Sequence, residues 1–242
     1  EKHMNERDQP GAGPSQGGLG PLGGQRSTRS DKRGGNIYFN EVATRDGFQI
    51  EPEFIPTDAK VALVDALSGC GYAKIEVTSF TSPTAIPALR DAEIVMREIT
   101  RLPGTVYTAL VPNVRGAERA IEARTDELNL VMSASETHNI SNLRMTREQS
   151  FASLAQVVAT AQAAQVAVNV SLSCVFGCPM EGNVHASAVF DWVQRFADLG
   201  VRGITLCDTT GMAYPTQVHQ LTTAARARWP GMDFTLHFHN TR

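Results

Sequence analysis

From residue 37 onward, seven short apolar segments alternate with six segments of helical spacing, which predicts an α/β protein on a parallel sheet with right-handed crossovers. Two architectures satisfy that pattern, a doubly wound sheet and a (β/α)8 barrel. No G-x-G-x-x-G follows the first strand, which weighs against the dinucleotide-binding fold. Polar residues gather instead at the C-terminal ends of the strands, the face that carries active sites in a barrel. The prediction is therefore a (β/α)8 (TIM) barrel, incomplete at seven strands and six helices, behind a disordered N-terminal tail.

Each element has its own signal. The stretch IYFNEVAT (37–44) reads as the first strand. In 57–67, Val61, Val64 and Leu67 share one helical face, with Thr57 as a candidate N-cap. Strands follow at 73–80, 106–112 and 127–135, separated by helices at 87–100 and 115–123. The polar stretch ASETHNISNLR (134–144) reads as a loop, with His138 exposed in it. An Ala-rich helix (147–164), a strand (166–174) and a helix closed by Gly200 (186–199) come next. The last three elements are a strand (202–208), a helix opened by Pro215 (215–228) and a strand (233–239).

Residues 1–36 form a separate Gly-rich region. The first 35 residues hold 9 of the 20 glycines and only four hydrophobics, too few to offset the entropy of ordering. No hydrophobic signal core is present, and Glu1, Glu6 and Asp8 argue against an acid-poor transit peptide. The remaining 37–242 form the partial barrel domain. With 22 Lys+Arg against 25 Asp+Glu, the net charge of −3 gives no basic footprint for nucleic acid. No apolar run is long enough for a membrane span. Four cysteines in 242 residues make no disulfide framework and fit a reducing cytoplasm.

Candidate chemistry concentrates in a few places. In HFH (237–239), strand geometry points His237 and His239 the same way, with Thr235, while Phe234, Leu236 and Phe238 point to the outer helices. Two imidazoles so spaced suit a divalent ion, and a polar strand end explains them equally well. In RDG (45–47), Asp46 offers a hard oxygen ligand and Arg45 a fixed cation, although Asp-Gly alone reads first as a turn. Glu76 interrupts an apolar strand and needs a partner, with Arg45 a candidate for a structural pair, or else it serves in proton transfer. Asp208, ending a strand at CDTTG, is open between ligand, base and loop cap. Cys174 and Cys178 form C-x3-C with no second pair, so buried inert thiols are favoured over structural zinc.

Seven segments in order carry a resemblance: EVATRDGFQIE, IEVTSFTSP, ALVPNVRGAERA, SASETHNISN, SLSCVFGCPMEG, CDTTGMAYP and LHFHNTR. From about residue 40 to 242 the chain resembles the 3-hydroxy-3-methylglutaryl-CoA lyase family, of the metal-dependent aldolase-like lyase and synthase barrels. The resemblance implies carbon–carbon cleavage of a 3-hydroxy-3-methylglutaryl-CoA-type acyl-CoA thioester to acetyl-CoA and a 3-oxoacid, acetoacetate for the parent substrate. It implies Asp46, His237 and His239 as ligands of Mg²⁺ or Mn²⁺. It implies Arg45 as the cation beside the enolate, and Glu76 and Asp208 as site residues that orient substrate or move protons. Ser173 and Cys174 lie near the site by the same analogy. A homodimer is implied, with neither nucleic acid nor membrane as partner. The family's fourth protein ligand and its glycine-rich loop with a product-protonating Cys fall past residue 242, so the expectation is a barrel truncated after strand seven. Cys207 stands where the family usually has Gly. Two alternatives stay open: a condensing synthase on the same scaffold, and a non-catalytic truncated chain.

Overall fold

The computed structural model describes residues 37–240. The expected disordered tail at 1–36 lies outside the described residues. Seven strands form one parallel sheet in strictly sequential order: β1 (Asn40–Glu41), β2 (Lys74–Ser79), β3 (Val106–Leu110), β4 (Glu127–Ser133), β5 (Ala167–Ser173), β6 (Gly203–Asp208) and β7 (Asp233–Phe238). A doubly wound sheet reverses its strand order at a switch point. No reversal occurs here, so the barrel alternative holds. The helices are α1 (Thr57–Ser68), α2 (Ala92–Glu98), α3 (Val114–Glu122), α4 (Glu136–Leu143), α5 (Arg147–Ala163), α6 (Ala186–Asp198) and α7 (Pro215–Arg228).

Period-two alternation sorts each strand into two faces. On β4 the fully buried Leu128, Leu130 and Met132 belong to the main hydrophobic core. Val157 and Val158 of α5 and Val193 and Phe196 of α6 belong to the same core. The opposite face is polar. Lys74, Glu76, Glu127, Asn129, Asn169, Ser171, Thr205 and His237 line a cavity of about 220 Å³ bounded by β1 through β7.

Several local expectations fail for identifiable reasons. The first strand stops at Glu41 rather than 44, because the Glu41 carboxylate accepts from the N–H groups of Val42 and Ala43, both at 2.8 Å. The chain then tightens into a single π-helical turn, Ala43–Gly47. Thr57 is not an N-cap: its hydroxyl donates instead to Asp91 Oδ2, at 2.8 Å. The helix expected over 87–100 splits into a 3₁₀ turn at Pro87–Leu89 and α2. The loop expected at 134–144 contains α4, which brings the α-helices among the described residues to seven rather than six. Ser135 caps α4 by accepting from the His138 N–H at 3.2 Å, and Arg144 ends it in the left-handed region (φ 60°). Its capping pattern (Ser135, then an acidic first turn) was readable in the sequence. His138 accordingly sits half-buried on a helix, with Nδ1 buried and without a hydrogen-bond partner among the described residues.

Candidate metal centre

The π-helical turn after β1 places Arg45 and Asp46 over the C-terminal ends of the strands. Thr44 ties that turn to β2, its hydroxyl donating to the Glu76 carbonyl at 3.0 Å. From the far end of the sheet, β7 brings His237 and His239 to the same point. Their rings stack with centroids 4.8 Å apart and planes 12° apart, as i and i+2 on one strand face require. Asp46 Oδ2 lies 3.5 Å from His237 Nε2 and 3.9 Å from His239 Nε2.

One carboxylate oxygen and two imidazole nitrogens thus lie within 4.8 Å of one another. Two donors each about 2.2 Å from one ion are separated by about 3 Å when adjacent and by about 4.4 Å when opposite. The cluster is therefore close to what one divalent ion spans, and its mixed oxygen and nitrogen donors suit an ion of intermediate hardness. The structure brings these three sequence-predicted residues together as a possible metal site. The same surroundings hold the Asp46 carboxyl down at about 2, with the approach of His237 contributing most and burial opposing it. Arg45 and the charge of both histidines add to the depression.

Arg45 is buried between two carboxylates. Its Nε donates to Glu76 Oε1, and its Nη1 donates to Asp46 Oδ1 at 2.5 Å. Burial on its own would lower the guanidinium's pKa, but Glu76 and Asp46 outweigh it and the net shift is upward. Nη2 makes no hydrogen bond to protein among the described residues. Glu76 Oε2 accepts from Asn129 Nδ2 at 2.8 Å.

Asp208 ends β6 beside Phe238 of β7. Its Oδ1 accepts from the N–H groups of Met212 and Ala213, at 2.7 and 3.2 Å, which makes it the cap of the following loop. It also borders an open groove of about 660 Å³ with Tyr214, His219, Phe238 and His239. That groove runs along α7 and the C-terminal end of β7. The smaller interior cavity is the one that reaches Glu76 and His237.

Ser173 ends β5 and Cys174 follows it in the left-handed region (φ 59°), its N–H donating to Thr209 Oγ1 at 3.0 Å. Cys174, Cys178 and Cys207 are buried, and Cys70 is exposed. Burial pushes the Cys174 thiol up to about 11 and the Cys207 thiol up to about 12.

Sequence reasoning missed Asn129, Asn169, Ser171 and Thr205, all buried in the barrel interior. The signal was present. Polar residues recur with period two at 169, 171 and 173, in a strand type that is usually apolar on both faces.

Fold and site together define a parallel α/β-barrel protein with a carboxylate–bis-imidazole cluster, a possible cation site, at the C-terminal ends of its strands. The family model described as HMGL-like matches residues 36–242, and the chain belongs to that family. It is 43% identical over 206 residues to hydroxymethylglutaryl-CoA lyase YngG of Bacillus subtilis, covering 85% of this chain and 69% of that protein. It is 33% identical over 224 residues to the mitochondrial hydroxymethylglutaryl-CoA lyase of Macaca fascicularis, covering 93% and 69%. Among solved structures, an HMG-CoA lyase from Acinetobacter baumannii in complex with coenzyme A and 3-methylmalate is 46% identical with a TM-score of 0.81, covering 85% of this chain and 67% of that one.

Proposed function

We propose that this protein cleaves 3-hydroxy-3-methylglutaryl-CoA to acetyl-CoA and acetoacetate, with a divalent metal held by Asp46, His237 and His239. The observation that carries the reading is the convergence of these three side chains beside the Arg45–Glu76 pair, in a chain 43% identical to a lyase of that name. The structural relative with coenzyme A and 3-methylmalate supports an acyl-CoA substrate. Mg²⁺ and Mn²⁺ are the proposed metals, and two imidazole ligands favour Mn²⁺ on softness.

When bound, the ion supplies Lewis-acid polarisation of the substrate's tertiary hydroxyl, which eases its deprotonation. Asp46, ionised at any pH above about 2, stays available as a ligand throughout the physiological range. A base accepts the hydroxyl proton, the oxygen forms the ketone of acetoacetate as the C2–C3 bond breaks, and the bond's electron pair passes to the thioester as an enolate, which a proton from that base or from solvent converts at C2 to acetyl-CoA. Arg45 is placed to meet that charge. Two of its nitrogens are held by Glu76 and Asp46, which leaves Nη2 as a fixed donor for the enolate oxygen. Asp208, with Oδ1 engaged in the loop cap, keeps Oδ2 for orienting substrate or accepting a proton. A cytoplasmic setting belongs to the same proposal, supported by four free cysteines. So does a homodimer, supported by the family resemblance.

The test is acetyl-CoA release from 3-hydroxy-3-methylglutaryl-CoA by the purified protein with Mn²⁺ or Mg²⁺, abolished by chelation and restored by the ion. Release that persists after exhaustive chelation would contradict the metal assignment. No release from folded, metal-loaded protein would contradict the activity. The condensing-synthase alternative would show instead as acetyl-CoA consumption with a 2-oxoacid.

A further inference from the structure

Below the Arg45–Glu76 pair, the interior face of the sheet carries a chain of amides and hydroxyls drawn from three strands. Asn129 of β4 donates through Nδ2 to Glu76 Oε2 at 2.8 Å. Its Oδ1 accepts from Asn169 Nδ2 and from Ser171 Oγ of β5, both at 2.9 Å. Asn169 Nδ2 also donates to Thr205 Oγ1 of β6, at 2.9 Å. We propose that Asn129 is a positioning residue, which sets the plane of the Glu76 carboxylate and through it the aim of the Arg45 guanidinium. This rests on the function proposed above.

The geometry is over-determined in one direction. Two donors point at Asn129 Oδ1, so its amide can present only N–H to Glu76. With Oε2 held there, Oε1 faces Arg45 Nε, and the carboxylate cannot rotate without losing one of its partners. The network also accounts for a glycine. Asn169 pairs in register with Gly203, where an added Cβ would lie 2.8 Å from Asn169 Oδ1 and 3.3 Å from its Cβ. The backbone at Gly203 is not left-handed, so the missing side chain serves space rather than conformation. Barrel interiors are ordinarily filled by Val, Ile and Leu, which need no partners. A buried chain of amides that ends on an arginine–carboxylate pair is explained by what it orients.

The direct test is Asn129→Asp, which is isosteric. One oxygen still accepts from Asn169 and Ser171, and the other faces Glu76 with no proton between them. The expected result is a fall in kcat of about 10–100-fold with KM and Mn²⁺ affinity close to the parent's. The loss should ease as pH falls, because one proton can then be shared by the two carboxylates. The other charged or titratable groups around Glu76 are Arg45, with Asp46 beside it, the Cys207 thiol of β6 and His237 of β7, which lines the same cavity; the Lys74–Glu127 pair lies beneath. Asn129→Ser, which cannot reach Glu76 and adds no charge, should lower kcat similarly while keeping the parent's pH profile.

A readout independent of turnover is hydrogen exchange at Arg45 Nε–H by NMR, slow in the parent and accelerated in both variants. If Asn129→Asp fails to fold, Asn129→Ser and Gly203→Ala decide, the latter by displacing Asn169 and lowering kcat in the same direction by a smaller factor. Folded variants with kcat within about twofold of the parent and unchanged Arg45 exchange would overturn the proposal. If the parent releases no acetyl-CoA, the proposed function fails, and Arg45 exchange still decides whether Asn129 positions the pair.

Discussion

On β4, Leu128, Leu130 and Met132 belong to the apolar core shared with the helices, while Glu127, Asn129 and Ser133 alternate with them on the opposite face. Both sets are nearly inaccessible to water, yet they are held by different physics. The outer layer is non-directional, and its stabilisation scales with apolar area removed from water. The interior is directional: each polar atom needs a partner in a particular place, and an unpaired one is costly. Stability should therefore reside mainly in the outer layer and chemistry in the inner one.

Leu130→Ala strikes the outer layer and should have the largest effect. A fully buried leucine removed from the core costs about 2–5 kcal/mol of stability. Denaturant titration measures it, and kcat per folded molecule should be unchanged; a matching loss of kcat would break the division between the layers. Arg45→Lys strikes the inner layer. It keeps the charge and loses the planar fork, so turnover should fall about 10²–10³-fold, or about 3–4 kcal/mol in the barrier, with metal affinity less affected. Weaker metal binding with unchanged turnover per bound metal would show that Arg45 serves the ligands instead.

The third effect is smaller and depends on pH. Asp46 titrates at about 2 in the folded chain against an ordinary 3.8, so its ionisation stabilises the fold fully above about pH 4. That contribution disappears as pH falls through about 2. After allowance for solvent reaching this partly open carboxylate, it is about 1–2 kcal/mol. In metal-free protein, Asp46→Asn should flatten the acid limb of stability by that amount between pH 4 and 2. An unchanged limb would show that the histidines do not hold Asp46. The smallest effect is chemical. A thiol reagent should label Cys70 rapidly and leave Cys174, Cys178 and Cys207 intact in native protein, whereas all four react in denaturant. Rapid labelling of Cys207 would show that the interior is open to solvent.

The outer layer was the legible half. Apolar periodicity located every strand and most helices, because burial against helices leaves a regular imprint on sequence. Its failures were at ends, where particular side chains intervene: Glu41 capturing two backbone N–H groups, and Thr57 spending its hydroxyl on Asp91. His237 and His239 were legible as candidates because their type and spacing on one strand carry chemistry on their own, whereas Asp46, which alone reads as a turn residue, became a candidate ligand through the family resemblance. Asn129 and Asn169 were not, since an asparagine in a strand takes its meaning from partners on other strands. That information lies in the register, which local sequence does not contain.

The register also makes the Asp46–His237–His239 cluster a timekeeper. Asp46 enters near the first strand and the two histidines on the last one described, so every intervening strand must dock before the three donors meet. Such widely separated contacts form late in folding, after the entropy of closing the whole chain has been overcome. Partly assembled chains lack the cluster. A divalent ion bound by the three donors, as proposed, would draw molecules out of the last folding equilibrium and stabilise finished molecules over their precursors.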